Sequence, residues 1–120
     1  MRIALVGVLG AAGALSRYAI GTAVGVTSFP WATLAINVIG AFLLGVVLVA
    51  GPVRWDEDLV VAVGVGFLGA FTTFSTFGVE THTLLRDERV GAAAAYVVAS
   101  VVLGVAAAAL GWSAGRAWTT

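Results

Sequence analysis

The sequence predicts an all-α membrane protein of four transmembrane helices, and three observations lead to that fold class. Of the 120 residues, 61% are hydrophobic and only 10% are charged, whereas soluble domains carry about 25% charged residues. The charges lie in short clusters that separate long uncharged runs, each close to the roughly 20 apolar residues that span a bilayer. Sixteen glycines, among them the small-xxx-small pairs Gly21/Gly25 and Gly111/Gly115, favour close helix packing. We predict one four-span domain over residues 1–120, with spans near 3–25, 31–50, 59–86 and 90–113.

The first two spans are bounded by glycine, proline and charge. Residues 3–25 are apolar on both sides of Arg17. This segment imitates a signal peptide, but the rest of the chain is equally apolar, so we interpret it as the first membrane helix. Pro30 opens the second span, where proline is tolerated in the first turn, and Pro52 follows its predicted end.

The third span is predicted to break within the membrane. It begins after the acidic run 56–58, since carboxylates favour a helix N-terminus. Gly64, Gly66 and Gly69 then lead into the run Ala-Phe-Thr-Thr-Phe-Ser-Thr-Phe at 70–77. Because glycine is permissive and threonine is stiff at χ1, we expect a break near Gly69 to Thr73. Unwound backbone at this depth must be buried or line a cavity, where its freed carbonyls can hold a cation. A tight charged loop at 86–89 leads to the fourth span.

The arginines are divided equally between the two ends of the predicted bundle. All six cationic residues are arginine, and six acidic residues make the formal net charge zero. Four spans with short loops place Arg2, Arg54 and Arg116 on one side, and Arg17, Arg86 and Arg89 on the other. Orientation normally follows a bias in Lys and Arg. Here there is none, so either another feature sets the orientation or the chain inserts both ways and pairs antiparallel.

Polar and aromatic side chains inside the spans are the candidate site residues, because such groups are costly in a bilayer. Asn37 lies near the middle of the second span and either bonds a neighbouring helix or solvates an anion. Phe74 and Phe77 share a helix face, as a packing stripe or as electropositive ring edges along an anion path. Tyr96 and Ser100 share a face of the fourth span and offer two hydroxyls, for interhelical bonds or for a pathway.

The charged groups near the span ends argue against a cation exporter. Arg17 could snorkel to the interface or attract anions to a pore mouth, and Glu80 is interpreted as a vestibule or helix-end residue. His82 is more consistent with an interfacial position than with proton transport. No carboxylate lies at mid-membrane, which favours an anion or neutral solute. The neutral charge argues against nucleic-acid binding, the absence of cysteine excludes a thiolate metal site, and few polar groups remain for an enzyme.

Three motifs closely resemble the CrcB/Fluc family of fluoride channels. They are Gly-Ala-Ala-Gly-Ala-Leu-Ser-Arg-Tyr at 10–18, Thr-Leu-Ala-Ile-Asn-Val-Ile-Gly at 33–40 and Gly-Ala-Phe-Thr-Thr-Phe-Ser-Thr-Phe at 69–77. The resemblance covers all four spans in order, and the Thr-Phe run is highly specific.

The resemblance implies a fluoride-selective channel that exports fluoride from the cytoplasm by passive diffusion, in the cell membrane and among its lipids. It implies an antiparallel dual-topology dimer, formed by one chain or by two related chains, with a central structural sodium ion on the backbone carbonyls of Gly69 and Thr72. It also implies pore and vestibule roles for a set of side chains. The pore residues would be Asn37, Phe74, Ser75, Thr76, Phe77, Tyr96 and Ser100, and the vestibule residues Arg17 and Glu80.

Two other functions fit a small four-span protein. A small multidrug-resistance-type exporter shares the size and the dual topology, but it should carry a glutamate in its first span, and residues 3–16 contain no acid. A membrane assembly subunit that transports nothing would use the Thr-Phe run for packing only.

Overall fold

The computed structural model describes residues 1–120 and is entirely helical. Four helical segments are long and apolar enough to cross a membrane: Arg2–Val24, Trp31–Arg54, Glu57–Arg86 and Val90–Thr119. The four predicted spans are therefore confirmed. We label the helices α1 (Arg2–Val24), α2 (Trp31–Arg54), α3 (Glu57–Val61), α4 (Gly69–Phe71), α5 (Phe74–Arg86) and α6 (Val90–Thr119). The third span comprises α3, a π-helical segment (Ala62–Leu68), α4 and α5.

Helices α2 and α6 extend beyond the approximate spans predicted from the sequence. Helix α2 continues through Pro52 to Arg54. Pro52 lacks the N–H that would donate to the Leu48 carbonyl, and the helix ends two residues later. Helix α6 continues six residues beyond the predicted 113, to Thr119. The two extensions support each other, since Arg54 Nη2 donates to the carbonyl of Trp118 at 2.8 Å and its guanidinium lies 4.9 Å from that indole ring.

Glycines bring α2 and α6 into backbone contact. A Cβ placed on Gly111 would lie 2.8 Å from the carbonyl carbon of Phe42, and one on Gly115 would lie 3.1 Å from the carbonyl oxygen of Val46. These two positions are the predicted small-xxx-small pair, and they pack as such pairs do.

A second glycine contact joins α1 to the π-helical segment. A Cβ on Gly13 would lie 2.9 Å from the carbonyl carbon of Phe67, and one on Gly66 would lie 2.8 Å from the carbonyl oxygen of Val6. The other predicted pair, Gly21 and Gly25, has open space where a Cβ would stand, with no neighbouring atom within 4 Å. Gly25 instead ends α1 at a φ of 71°, a conformation that favours glycine.

The predicted break in the third span is confirmed and can be narrowed to two residues. Thr72 (φ −83°, ψ 160°) and Thr73 (φ −151°, ψ 122°) are extended, and α4 and α5 lie on either side of them. The π-helical segment just before the break was not predicted. It contains Gly64 and Gly66 and lies against the glycine face of α1.

Charged residues link α1 to the third span at one end of the bundle. Asp56 accepts a hydrogen bond from the Leu59 amide at 2.9 Å and so caps α3, as its place before the span predicted. Arg2 pairs with Glu57 at 3.2 Å and with Asp58 at 2.6 Å. These exposed pairs tie the start of α1 to the start of the third span, although solvent-exposed ion pairs add little stability.

Candidate functional site

Asn37 bridges the break in the third span. Its Nδ2 donates to the carbonyl of Thr73 at 3.0 Å, and its Oδ1 accepts from the Thr73 amide at 2.9 Å. The side chain thus replaces, from α2, the backbone partners that Thr73 lacks because it is not in a helix. One of the two Nδ2 hydrogens remains available to another acceptor.

The backbone carbonyls that lose their helical donors at the break include those of Gly69 and Thr72. In a continuous helix the Gly69 carbonyl would accept from the Thr73 amide and the Thr72 carbonyl from the Thr76 amide. The Thr73 amide instead donates to Asn37 at 2.9 Å, and the Thr76 amide donates to Thr73 Oγ1 at 3.2 Å. Gly69 and Thr72 also line one groove. Carbonyl oxygens that have lost their helical hydrogen-bond donors are groups that a hard cation such as sodium can bind.

Six of the predicted site residues meet in a groove beside the break. The groove has a volume of about 410 Å³, and α2, the third span and α6 form its walls. The predicted residues that line it are Asn37, Gly69, Thr72, Phe74, Phe77 and Ser100. No charged side chain lines it.

The two phenylalanines of the groove form a short row with Tyr96. The rings of Phe74 and Phe77 have centroids 5.7 Å apart, and those of Phe77 and Tyr96 have centroids 5.1 Å apart. Phe74 is 83% exposed in the single chain. Phe77 is half-buried.

Ser100 carries the only buried side-chain polar atom without a hydrogen-bond partner in the chain. Such atoms are rare because burial without a partner costs free energy. Ser100 lines the groove, so its unpaired hydroxyl lies in the wall of that groove.

Tyr96 points into a different group of residues. Its hydroxyl donates to Glu80 Oε2 at 2.7 Å, and the Thr33 hydroxyl donates to Glu80 Oε1 at 2.7 Å. Tyr96 and Thr33 are both buried. Although Tyr96 and Ser100 share a helix face, only Ser100 lines the groove, whereas the Tyr96 hydroxyl holds the Glu80 carboxylate.

A larger polar cavity, of about 860 Å³, lies between α1, α2 and α5. Arg17, Thr76, Glu80 and Arg89 line it. Arg17 is half-buried, and its Nε donates to the carbonyl of Ala70 at 3.1 Å. Both predicted vestibule residues therefore face one cavity.

Besides Tyr96, two predicted pore residues lie outside the groove. Ser75 is exposed and its Oγ lies 3.4 Å from Thr73 Oγ1. Thr76 lines the polar cavity, and its Oγ1 accepts from Thr73 Oγ1 at 3.1 Å. His82 is exposed.

Two site residues were missed from the sequence. Thr33 lies four residues before Asn37, and this i,i+4 spacing on one helix face could have indicated that both side chains bond the third span. Thr73 caps α5 through its side chain. Threonine is a common cap residue at a helix start, so the predicted break could have identified it.

Comparison with known proteins places the chain in a family. Residues 4–112 match the family described as CrcB-like protein, Camphor Resistance (CrcB). The chain is 43% identical over 106 residues to the fluoride-specific ion channel FluC of Geobacter sulfurreducens, covering 84% of this chain and 86% of that protein. It is 42% identical over 121 residues to FluC of Magnetococcus marinus, with 97% and 98% covered, and 37% identical over 121 residues to FluC of Agrobacterium fabrum, with 97% of both covered. The three sequence motifs, the broken third span and these matches together show that the chain belongs to the CrcB family.

Proposed function

We propose that the chain is a fluoride-selective ion channel of the cell membrane and not an enzyme. One structural observation carries the proposal: the groove at the break presents hydrogen-bond donors and aromatic rings but no charged side chain. Family relatives named as fluoride-specific ion channels support it. The four apolar spans make the chain a multi-pass membrane protein.

The chemistry of the groove suits a small, strongly hydrated anion. A narrow path must replace the water around fluoride with donors, and the chain offers the free Asn37 N–H, the Ser100 hydroxyl and the Phe77 ring edge. None of these groups carries a full charge. An anion is therefore stabilised but not trapped, as conduction requires. Arg17, in the polar cavity, would raise the local anion concentration.

The direction of transport follows from acid–base chemistry. Hydrogen fluoride is a weak acid that crosses membranes in its neutral form and dissociates at the neutral pH of the cytoplasm. The fluoride anion is then held inside unless a selective path exists. A passive channel lets it leave down its gradient.

Efflux from liposomes tests the proposal directly. Vesicles with purified protein and internal potassium fluoride should release fluoride to an ion-selective electrode when valinomycin balances the charge. The same vesicles loaded with potassium chloride should retain chloride, since the groove offers donors matched to a small anion. Fluoride release no faster than from protein-free vesicles would contradict the proposal.

A structural sodium ion is part of the proposed channel. The freed carbonyls of Gly69 and Thr72 fit such an ion, and the matching pair of a second subunit would complete its ligands. The bound ion would add positive potential beside the anion path. If it stabilises the assembly, the melting temperature should fall by several degrees when sodium is replaced by N-methylglucamine, as expected for loss of a ligand of the folded state. Equal melting temperatures in both buffers would contradict the sodium site.

The channel is proposed to be an antiparallel dimer. Arg2 and Arg54 lie at one end of the bundle, whereas Arg17 and Arg89 share the cavity at the other, so these four arginines are divided equally between the two ends. The exposed Phe74 offers an apolar surface that a second subunit could cover. The partner is either an identical chain or a related one.

Two added lysines should fix the orientation and remove channel activity. We expect Ala117→Lys with Thr120→Lys, both exposed positions, to hold that end in the cytoplasm by the positive-inside rule. A chain with one orientation cannot form an antiparallel pair. Fluoride efflux from cells expressing the variant should therefore be lost.

A complementary variant supplies the control. Val26→Lys with Thr27→Lys biases the opposite end, and it should also be inactive alone. Co-expression of the two variants should restore efflux. Full activity of either variant alone would exclude the antiparallel arrangement.

A further inference from the structure

Arg17 makes a contact with the break that a role in attracting anions does not require. Its Nε donates to the carbonyl of Ala70 at 3.1 Å. The terminal Nη groups have no partner in the chain, while the side chain lines the polar cavity. The inner nitrogen is therefore bound to the backbone of the third span, and the outer nitrogens face the cavity.

The Ala70 carbonyl needs an external donor because of the break. In a continuous helix it would accept from the Phe74 amide. The extended residues Thr72 and Thr73 carry that amide out of helical register. A carbonyl at this depth without a donor is costly, and the Arg17 guanidinium supplies a charge-assisted bond, which is stronger than a neutral one.

The packing of α1 places Arg17 at this carbonyl. Gly13 lies four residues before Arg17 and therefore on the same face of α1. It meets the backbone of Phe67, with only 3.1 Å between a Cβ placed there and the Phe67 Cα. Ala70 is one turn beyond Phe67, so the close approach at Gly13 brings the next turn of α1 to the next turn of the third span.

Arg17 and Asn37 thus hold the two sides of the break from two different helices. Asn37 binds the Thr73 peptide groups at 2.9 and 3.0 Å, and Arg17 binds the end of α4. Between these two fixed points lie the carbonyls of Gly69 and Thr72.

We propose that Arg17 is a positioning residue of the channel. Its Nε–H bond to the Ala70 carbonyl stabilises the break of the third span, in which Thr72 and Thr73 are extended. The expected effect of this bond on fluoride transport rests on the proposed channel function. The contact itself lies within a single chain.

Two substitutions separate the bond from the charge. Arg17→Gln places an amide nitrogen at the same distance along the side chain as Nε and removes the charge. Arg17→Lys keeps the charge but has a methylene at the Nε position. Arg17→Met removes both. Arg89→Met is the matched control, because it removes a cation from the same cavity while its contact, with the Ser28 carbonyl, is far along the chain from the break.

Hydrogen–deuterium exchange of the peptide spanning residues 69–77 is the first measurement. We expect wild type, Arg17→Gln and Arg89→Met to exchange at rates within about threefold of one another, since each keeps a donor for Ala70. Arg17→Lys and Arg17→Met should exchange at least about tenfold faster, which corresponds to about 1.4 kcal/mol of lost protection.

Fluoride efflux from liposomes is the second measurement. Arg17→Lys and Arg17→Met should lose efflux. Arg17→Gln should retain a reduced efflux, because it keeps the bond to Ala70 but lacks the charge that raises the local anion concentration. Loss of efflux in Arg17→Gln with retention in Arg17→Lys would show that charge alone matters and would overturn the proposal. Equal exchange in all five proteins would also overturn it. Hydrogen–deuterium exchange does not depend on transport. A wild-type protein that releases no fluoride would therefore contradict the channel function, while the exchange rates would still decide the role of Arg17.

Discussion

Replacing Phe77 with isoleucine is expected to reduce fluoride efflux to the background of protein-free liposomes. Phe77 lines the groove beside the break and lies next to Phe74 and Tyr96, with ring centroids at 5.7 and 5.1 Å. Isoleucine fills much of the same volume but has no electropositive ring edge. A loss of about 3 kcal/mol of anion stabilisation at the narrow part of a path corresponds to about a hundredfold in rate.

Phe67→Ile is the matched control for this variant. Phe67 stacks on Phe71 with centroids 5.9 Å apart and does not line the groove. Its replacement should leave efflux within a few-fold of wild type. Both variants should elute from size exclusion as wild type does, and normal efflux through Phe77→Ile would remove that ring from the anion path.

Gly111→Ala is expected to have the largest effect on stability. The new Cβ would lie 2.8 Å from the carbonyl carbon and 3.1 Å from the Cα of Phe42, both backbone atoms. Because backbone cannot rotate away, α6 and α2 would have to separate along their contact. Overpacking of this kind costs about 1–3 kcal/mol, so we expect the melting temperature in detergent to fall by at least about 5 °C.

Gly91→Ala provides the comparison within the same helix. A Cβ on Gly91 has no neighbouring atom within 4 Å, and alanine favours a helix by up to about 1 kcal/mol over glycine. Its melting temperature should be equal to or above that of wild type. A melting temperature for Gly111→Ala equal to that of Gly91→Ala would mean that the α2–α6 contact can move apart without cost.

The broken third span shows how far local sequence can lead. Three glycines followed by a run of threonine and phenylalanine predicted the break near Gly69 to Thr73, and the extended residues are Thr72 and Thr73. The π-helical segment at Ala62–Leu68 escaped prediction, because it depends on packing against the glycine face of α1 and not on residue preference alone.

The polar site residues show that the residue spacing within one helix does not predict hydrogen-bond partners on other helices. Spacing correctly put Tyr96 and Ser100 on one face of α6. It could not show that Tyr96 donates to Glu80 while Ser100 remains unpaired at the groove. That division depends on which side chain of the third span meets each turn of α6, a relation between residues distant in the chain.

Hydrophobic runs and charge clusters were sufficient by themselves to determine the four spans, because a bilayer requires long apolar helices with internally satisfied backbones. Motif resemblance was sufficient to identify the family. The hydrogen-bond partners at the break were decided only by tertiary structure. Arg17 and Asn37 bind carbonyl and amide groups 53 and 36 residues away, and only the packing of α1 and α2 against the third span brings these groups within reach.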